Sequence, residues 1–226
     1  MSTRFADRRE AGRHLAAALQ SIAAQEGVVV LALPRGGVPV AYEVALALGA
    51  PLDVFLVRKL GVPGQEELAM GAIAEGGVQV LNREVIEPMG IPQQVIDRVA
   101  AAERAELARR ERLYRGDAPP PNLRERTVLL VDDGLATGST MAAAVAGVRA
   151  HEPRRIVVAV PVAARETVEM MQEVADDCVS VRIPRFFGGV GEWYEDFSQT
   201  SDDEVQSLLE AARHRVPVAG PGSRAT

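Results

Sequence analysis

Apolar residues in this chain fall into short, nearly unbroken runs, separated by segments in which they recur every three or four positions. The runs Val28–Leu33, Leu52–Val57, Val128–Val131, 155–160 and 178–183 have the length and β-branched content of buried strands. Between them lie helical patterns. Over 7–25, Leu15, Leu19 and Ile22 share one face with charges opposite. Val38–Leu48 ends at Gly49, a residue suited to a left-handed C-cap. Pro92 opens a charged helix over 92–114, and further helices are expected over 139–150, 164–176 and 202–213. Val78–Leu81 is a short edge strand, and Pro119-Pro120-Pro121 breaks the chain before the central run.

Strands alternating with helices predict an α/β fold: a parallel five-stranded sheet with helices on both faces. Right-handed crossovers give it the order 2-1-3-4-5, so the first strand lies beside the run 128–131. Residues 61–77 hold five glycines and a proline and read as a long, mobile excursion. The domain reading is a core over 1–183, a C-terminal segment with the last helix over 184–215, and a frayed tail over 216–226. No period of 20–50 residues recurs, so a repeat architecture is not expected.

Composition narrows the class. The 226 residues can bury one full core, and 47% are hydrophobic and 25% charged, as in ordinary globular proteins. A net charge of −6 argues against nonspecific nucleic-acid binding, and the charged helix 92–114 is better read as a solvated face with i,i+4 pairs. Cys178 is the single cysteine, so no disulfide can form within the chain, and with three histidines it argues against structural zinc. No apolar run reaches the length of a membrane span, and the charged N-terminus lacks a signal-peptide stretch. A cytoplasmic protein is expected.

The chemistry concentrates at 128–140. The apolar run ends in Asp132 and Asp133, followed by Gly134-Leu135-Ala136-Thr137-Gly138-Ser139-Thr140 and the Ala-rich start of a helix. A strand would deliver the two acids to the sheet's rim, and the loop 136–140 would offer backbone N–H groups, hydroxyls and a helix N-terminus to a phosphate. Carboxylates beside a phosphate cradle suit a sugar phosphate, with the acids on ribose hydroxyls or a hydrated Mg²⁺. The pattern argues against a P-loop, because no Gly-x-x-x-x-Gly-Lys precedes Ser139 and the lysine that reaches the outer phosphates is missing. The bland alternative is an acidic turn with a Ser/Thr cap. Pro34-Arg35-Gly36-Gly37 follows the first strand, and its glycines would let backbone approach an anion closely. The alternative there is a simple strand-to-helix turn.

The order apolar strand, two acids, short spacer, Thr-Gly-Ser-Thr resembles the phosphoribosyl-diphosphate (PRPP) signature of the type I phosphoribosyltransferases. The resemblance extends by element order over about 28–183, with 34–37 and 58–59 as further points of similarity. It implies Mg²⁺-dependent transfer of a 5-phosphoribosyl group from PRPP to a nitrogenous base, with release of pyrophosphate. It also implies roles. Ala136, Thr137, Gly138, Ser139 and Thr140 would hold the 5′-phosphate. Asp132 and Asp133 would hold the 2′- and 3′-hydroxyls and, through water, the metal. Arg35, Gly36, Gly37, Arg58 and Lys59 would bind pyrophosphate, and the 34–37 loop in relatives often contains a cis peptide. Arg35, Lys59, Asp132 and Asp133 would be the catalytic set. By position, 61–77 is similar to the family's flexible lid, where Glu66 or Glu67 could carry a proton or brace Mg²⁺; a plain surface loop is the alternative.

Five of the nine aromatic residues fall between Phe186 and Phe197, where relatives place a hood. Phe186, Phe187 and Trp193 are the candidate base-stacking residues, against the alternative of a small accessory core. Ala136 stands where the 6-oxopurine branch carries Asp, which disfavours hypoxanthine and guanine; a purine acceptor stays open. The whole pattern most resembles bacterial phosphoribosyltransferase-like proteins with unassigned acceptors. The expected partners are PRPP and a small-molecule acceptor, with no membrane or nucleic acid, and a homodimer is compatible with the resemblance. Two other readings remain: a PRPP-binding regulator or sensor without base turnover, and a transferase or hydrolase using another acceptor.

Overall fold

A computed structural model describes residues 4–23 and 26–215. In chain order the elements are α1 (Arg8–Ala18), α2 (Gln20–Ala23), β1 (Val28–Ala32), α3 (Gly37–Leu48), β2 (Leu52–Val54), β3 (Val57–Val62), β4 (Gln65–Ala74), β5 (Gln79–Leu81), α4 (Arg83–Ile86) and α5 (Gln93–Arg115). There follow β6 (Thr127–Val131), α6 (Ser139–Arg149), β7 (Arg155–Val162), α7 (Arg165–Val174), β8 (Asp177–Arg182) and α8 (Asp202–Arg215). The tail 216–226 lies outside the described residues, as do 24–25 at the end of the first expected helix.

The main sheet has five parallel strands in the order β2-β1-β6-β7-β8, which is 2-1-3-4-5 among the core strands. Every residue of β1 and β6 is buried, which explains the unbroken runs: both sheet faces are covered. Alternate residues serve opposite faces. Val28, Val30 and Ala32 join a core with α1, α3, α5 and α8, whereas Val29 and Leu31 face α6 and α7. Among the described residues no helix is long and apolar enough to cross a membrane.

The structure corrects the sequence reading over 52–81. The second strand stops at Val54, and Arg58 and Lys59 lie inside β3 rather than at the end of a core strand. Residues 61–77 are mostly strand rather than loop. β3, β4 and β5 form a second, antiparallel sheet that places Leu60, Val62, Met70 and Ile73 in the main core. Burial of those four side chains outweighs the glycine content. Pro63-Gly64 closes the hairpin as a type II turn would, with Gly64 at φ 81°. Gly71 lies so close to β5 that a Cβ would stand 2.4 Å from the Val80 carbonyl oxygen. Arg115, at the end of α5, ties the sheets together. It donates to Glu75 at 2.6 Å, to Asp53 at 3.0 Å and to the Val54 carbonyl at 3.0 Å, with all three side chains largely buried.

Candidate active site at the ends of β1 and β6

β1 and β6 are neighbours in register from Val28 opposite Thr127 to Ala32 opposite Val131. From β1 the chain turns through α3 toward β2, and from β6 through α6 toward β7, so the crevice beyond their C-terminal ends is the sheet's switch point. The peptide Pro34–Arg35 is cis. The two loops touch at the glycines. A Cβ on Gly36 would stand 2.1 Å from Oδ2 of Asp133, and one on Gly37 would stand 2.7 Å from the Val131 carbonyl oxygen and 2.9 Å from the Asp132 Cα. Hydrogen alone fits there, which gives the Gly-Gly pair a packing reason.

After the acids, a bridge from Leu135 to Ala163 anchors the loop, and the Thr167 hydroxyl donates to the Ala136 carbonyl. Gly138 adopts the left-handed conformation at φ 74° and opens α6, where a Cβ would meet Thr167 and Met170. No described side chain caps α6. Its first N–H groups therefore keep their capacity for an anion, and the exposed Thr137, Ser139 and Thr140 hydroxyls lie beside them.

Asp132 and Asp133 are partly buried. Burial, and then the neighbouring Asp133 charge, push the Asp132 carboxyl well above the ordinary range. Burial also raises Asp133, opposed by the Arg8 guanidinium, whose Nε donates to Asp133 Oδ2 at 2.8 Å. Asp132 Oδ1 accepts from the Asp133 backbone N–H at 2.8 Å. Arg8 comes from α1. Its Nη1 also donates to the Ser198 carbonyl at 2.7 Å, and its guanidinium carbon sits 4.0 Å from the Phe197 ring centre. The Tyr194 hydroxyl donates to the Asp133 carbonyl at 2.6 Å. Neither Arg8 nor Tyr194 is legible as a site residue in the sequence. Arg8 lies among Arg9 and Arg13 on a polar helix face, and Tyr194 is one aromatic of the cluster 186–197.

The basic residues divide. The Arg35 guanidinium stands 3.9 Å from Asp202 at the start of α8, and Asp202 also accepts from the Tyr114 hydroxyl at 2.5 Å. Arg58 is held by Glu103 of α5 at 2.7 Å. A narrow cleft lined by Pro34, Arg58, Arg110 and Thr140 brings three of the expected segments to one place. Lys59 is exposed and shares with Ser139 and Thr140 the wall of a 510 Å³ cavity between the second sheet and α6, whose lining is otherwise mainly apolar. Glu66 is fully exposed near the hairpin tip, its carboxyl lowered by backbone hydrogen bonds, including one from the Gly64 N–H.

In the segment 186–197, Phe187 and Trp193 pack with Val190 on an accessory core of Phe5, Ala11, Val162 and Tyr194. Phe186, by contrast, is 85% exposed. For a metal, the described residues hold no group of three or more His, Cys, Asp or Glu side chains that could bind one. The adjacent pair Asp132 and Asp133 fits Mg²⁺ in the manner in which that ion binds, with few carboxylates and the remaining places filled by water and substrate oxygens.

The fold is an α/β domain whose parallel sheet presents a carboxylate pair and the uncapped N-terminus of α6 at its switch point. More narrowly, the chain belongs to the phosphoribosyl transferase domain family, whose model matches residues 3–196. It is 48% identical over 217 residues to a Mycobacterium tuberculosis protein named "Putative phosphoribosyl transferase Rv0571c", covering 96% of this chain and 48% of that protein. The protein of strain CDC 1551 / Oshkosh named "Putative phosphoribosyl transferase MT0597" matches equally. The chain thus spans about half the length of the curated relatives it matches. The crystal structure of the protein TT1426 from Thermus thermophilus is similar at 46% identity and a TM-score of 0.78, over 91% of this chain and 97% of that one.

Proposed function

We propose that this chain transfers a 5-phosphoribosyl group from PRPP to a nitrogenous base and releases pyrophosphate. The observation that carries the reading is the contact of Gly36 and Gly37 with Asp132 and Asp133 beside the uncapped start of α6. A ribose diol, a 5′-phosphate and a diphosphate need three such neighbouring sites. In the reaction the bond from ribosyl C1 to pyrophosphate breaks, a bond from C1 to the base nitrogen forms, and that nitrogen loses its proton. Loop 136–140 would hold the 5′-phosphate through N–H groups and hydroxyls. Asp132 and Asp133 would accept from the ribose hydroxyls and lie against the positive charge that develops on the sugar. The 34–37 backbone and Lys59 would receive the departing pyrophosphate, where hydrogen bonds to a charged partner are strong. Mg²⁺, held through water by the acid pair, would supply charge compensation to the diphosphate. Phe186 would meet the base; the residue is 85% exposed and its ring is open to stacking.

Exposed Ala136 supports an acceptor other than a 6-oxopurine. Glu66, ionised at the hairpin tip, fits a solvated carboxylate better than a proton donor. Buried Cys178 is compatible with a reducing, cytoplasmic setting.

Calorimetry with PRPP and MgCl₂ tests the reading. Binding should be lost with excess chelator and weakened at least tenfold, about 1.4 kcal/mol, by Asp132→Ala or Asp133→Ala. Unchanged affinity in both variants overturns the proposal. Pyrophosphate release across purine, pyrimidine and nicotinic-type bases then identifies the acceptor. Tight PRPP binding with no release for any base favours a PRPP sensor.

A further inference from the structure

We propose that Arg8 is a positioning residue for the ribosyl site: it locks the Asp133 carboxylate in place and joins the N-terminal helix and the hood into one clamp on the acid. The inference rests on the ribosyl-transfer reading above and extends it to residues outside the two ligand loops.

Arg8 lies 125 residues from Asp133 in the chain, yet its Nε donates to Asp133 Oδ2 at 2.8 Å with both side chains at most 15% exposed. The same guanidinium donates from Nη1 to the Ser198 carbonyl at 2.7 Å and stacks on Phe197 at 4.0 Å. A guanidinium is a rigid planar fork, so acceptors on two of its nitrogens and a ring on its face fix its orientation and position. From the other side, the Tyr194 hydroxyl holds the Asp133 carbonyl at 2.6 Å. Tyr194 is itself held by a parallel bridge to Phe5, three residues before Arg8. Asp133 is therefore gripped at its carboxylate by α1 and at its backbone by the hood.

This grip shapes what a ligand would meet. Oδ2 of Asp133 and Oδ1 of Asp132 each already accept a hydrogen bond within the protein, so the second oxygen of each acid would be the less encumbered one toward a ribose diol. Arg8 also offsets the repulsion between these adjacent, partly buried carboxylates. Gly36 completes the arrangement, since a Cβ there would lie 3.3 Å from Arg8 Nε as well as against Asp133.

The test is a double-mutant cycle on PRPP affinity, measured by calorimetry with MgCl₂ on the full chain. Arg8→Met should weaken PRPP binding at least fivefold in the natural background and less than twofold in an Asp133→Ala background, because without the side-chain acceptor a positioning residue has nothing left to position there. Arg8→Lys, which keeps the charge and loses the fork, should bind more weakly than the natural chain and more tightly than Arg8→Met. If Arg8→Met does not fold, the same comparison is made with Arg8→Lys. Arg9→Met, one residue along and 46% exposed, should leave affinity unchanged. Equal losses in both backgrounds mean a general structural role and overturn the inference, as does no loss in the natural background. Failure of the natural chain to bind PRPP instead overturns the ribosyl reading itself. The two failures are thus distinguishable.

Discussion

Replacing Gly37 by alanine separates two opposed effects whose balance the structure decides. Gly37 is the first residue of α3, and in a helix alanine is favoured over glycine by about 0.8–1.0 kcal/mol. If nothing opposed it, Gly37→Ala would stabilise the protein. The new methyl, however, would stand 2.7 Å from the Val131 carbonyl oxygen and 2.9 Å from the Asp132 Cα. The first distance is about 0.7 Å inside ordinary contact, and both obstacles are backbone of the central strand and its acid, which no side-chain rotation can move aside. Overpacking costs typically about 1–3 kcal/mol, and rigid neighbours place this case in the upper half. The net expectation is a loss of about 1–2 kcal/mol, or a Tm lowered by roughly 2–8 °C in a domain of this size. Urea unfolding, followed by far-UV circular dichroism, gives the midpoint and slope. A lowered midpoint with unchanged slope is the expected result. An unchanged or higher midpoint would mean that the loops after β1 and β6 do not touch, and the site would lose its geometric basis.

Asp132→Asn should raise stability near neutral pH, read as a higher Tm, while impairing PRPP binding. Its carboxyl is raised above 3.8 by burial and by Asp133, so the native state holds its proton more tightly than the unfolded chain; stability is then lost as pH rises above 3.8, and the Asn gain should vanish in acid. A Tm difference independent of pH would refute this. Lys59→Gln should weaken PRPP binding tenfold or more, about 1.4–3 kcal/mol for a bond to a charged group. Arg58→Gln, whose natural partner is Glu103, should change it less than threefold; calorimetry that reverses this ranking contradicts the placement. Arg115→Ala should cost about 3–5 kcal/mol, because Glu75 and Asp53 lose their buried partner; a loss below about 1 kcal/mol in urea titration would show water reaching the acids. Cys178, pushed up to about 11 by burial, should react with iodoacetamide at pH 8 at least tenfold more slowly than unfolded chain, and equal rates would disprove its burial.

Much of this protein is written locally. Strands buried on both faces must be apolar at every position, so Val28–Leu33 and Val128–Val131 declare themselves without knowledge of their partners. Once the strands alternate with helices, handedness sets the order of the sheet, and the order brings 34–37 against 132–140. The stretch 61–77 is where local reading fails, because its glycines suggest a loop whereas Gly61 and Gly71 sit in close strand contacts and Gly64, Gly76 and Gly77 hold positive-φ turns. There Gly71 permits close strand approach, and the burial of Leu60, Met70 and Ile73 outweighs chain entropy.

What tertiary structure alone decided is which like residues have unlike roles. Arg58 is paired with α5 while its neighbour Lys59 faces the cavity beside Ser139 and Thr140. Phe186 is exposed while Phe187 packs inward. Arg8 reaches Asp133 whereas Arg9 pairs with Glu43. The pattern of apolar positions is a property of each segment and survives in the sequence. The role of a polar side chain depends on what stands opposite it, often more than a hundred residues away, and that pairing exists only once the chain has folded.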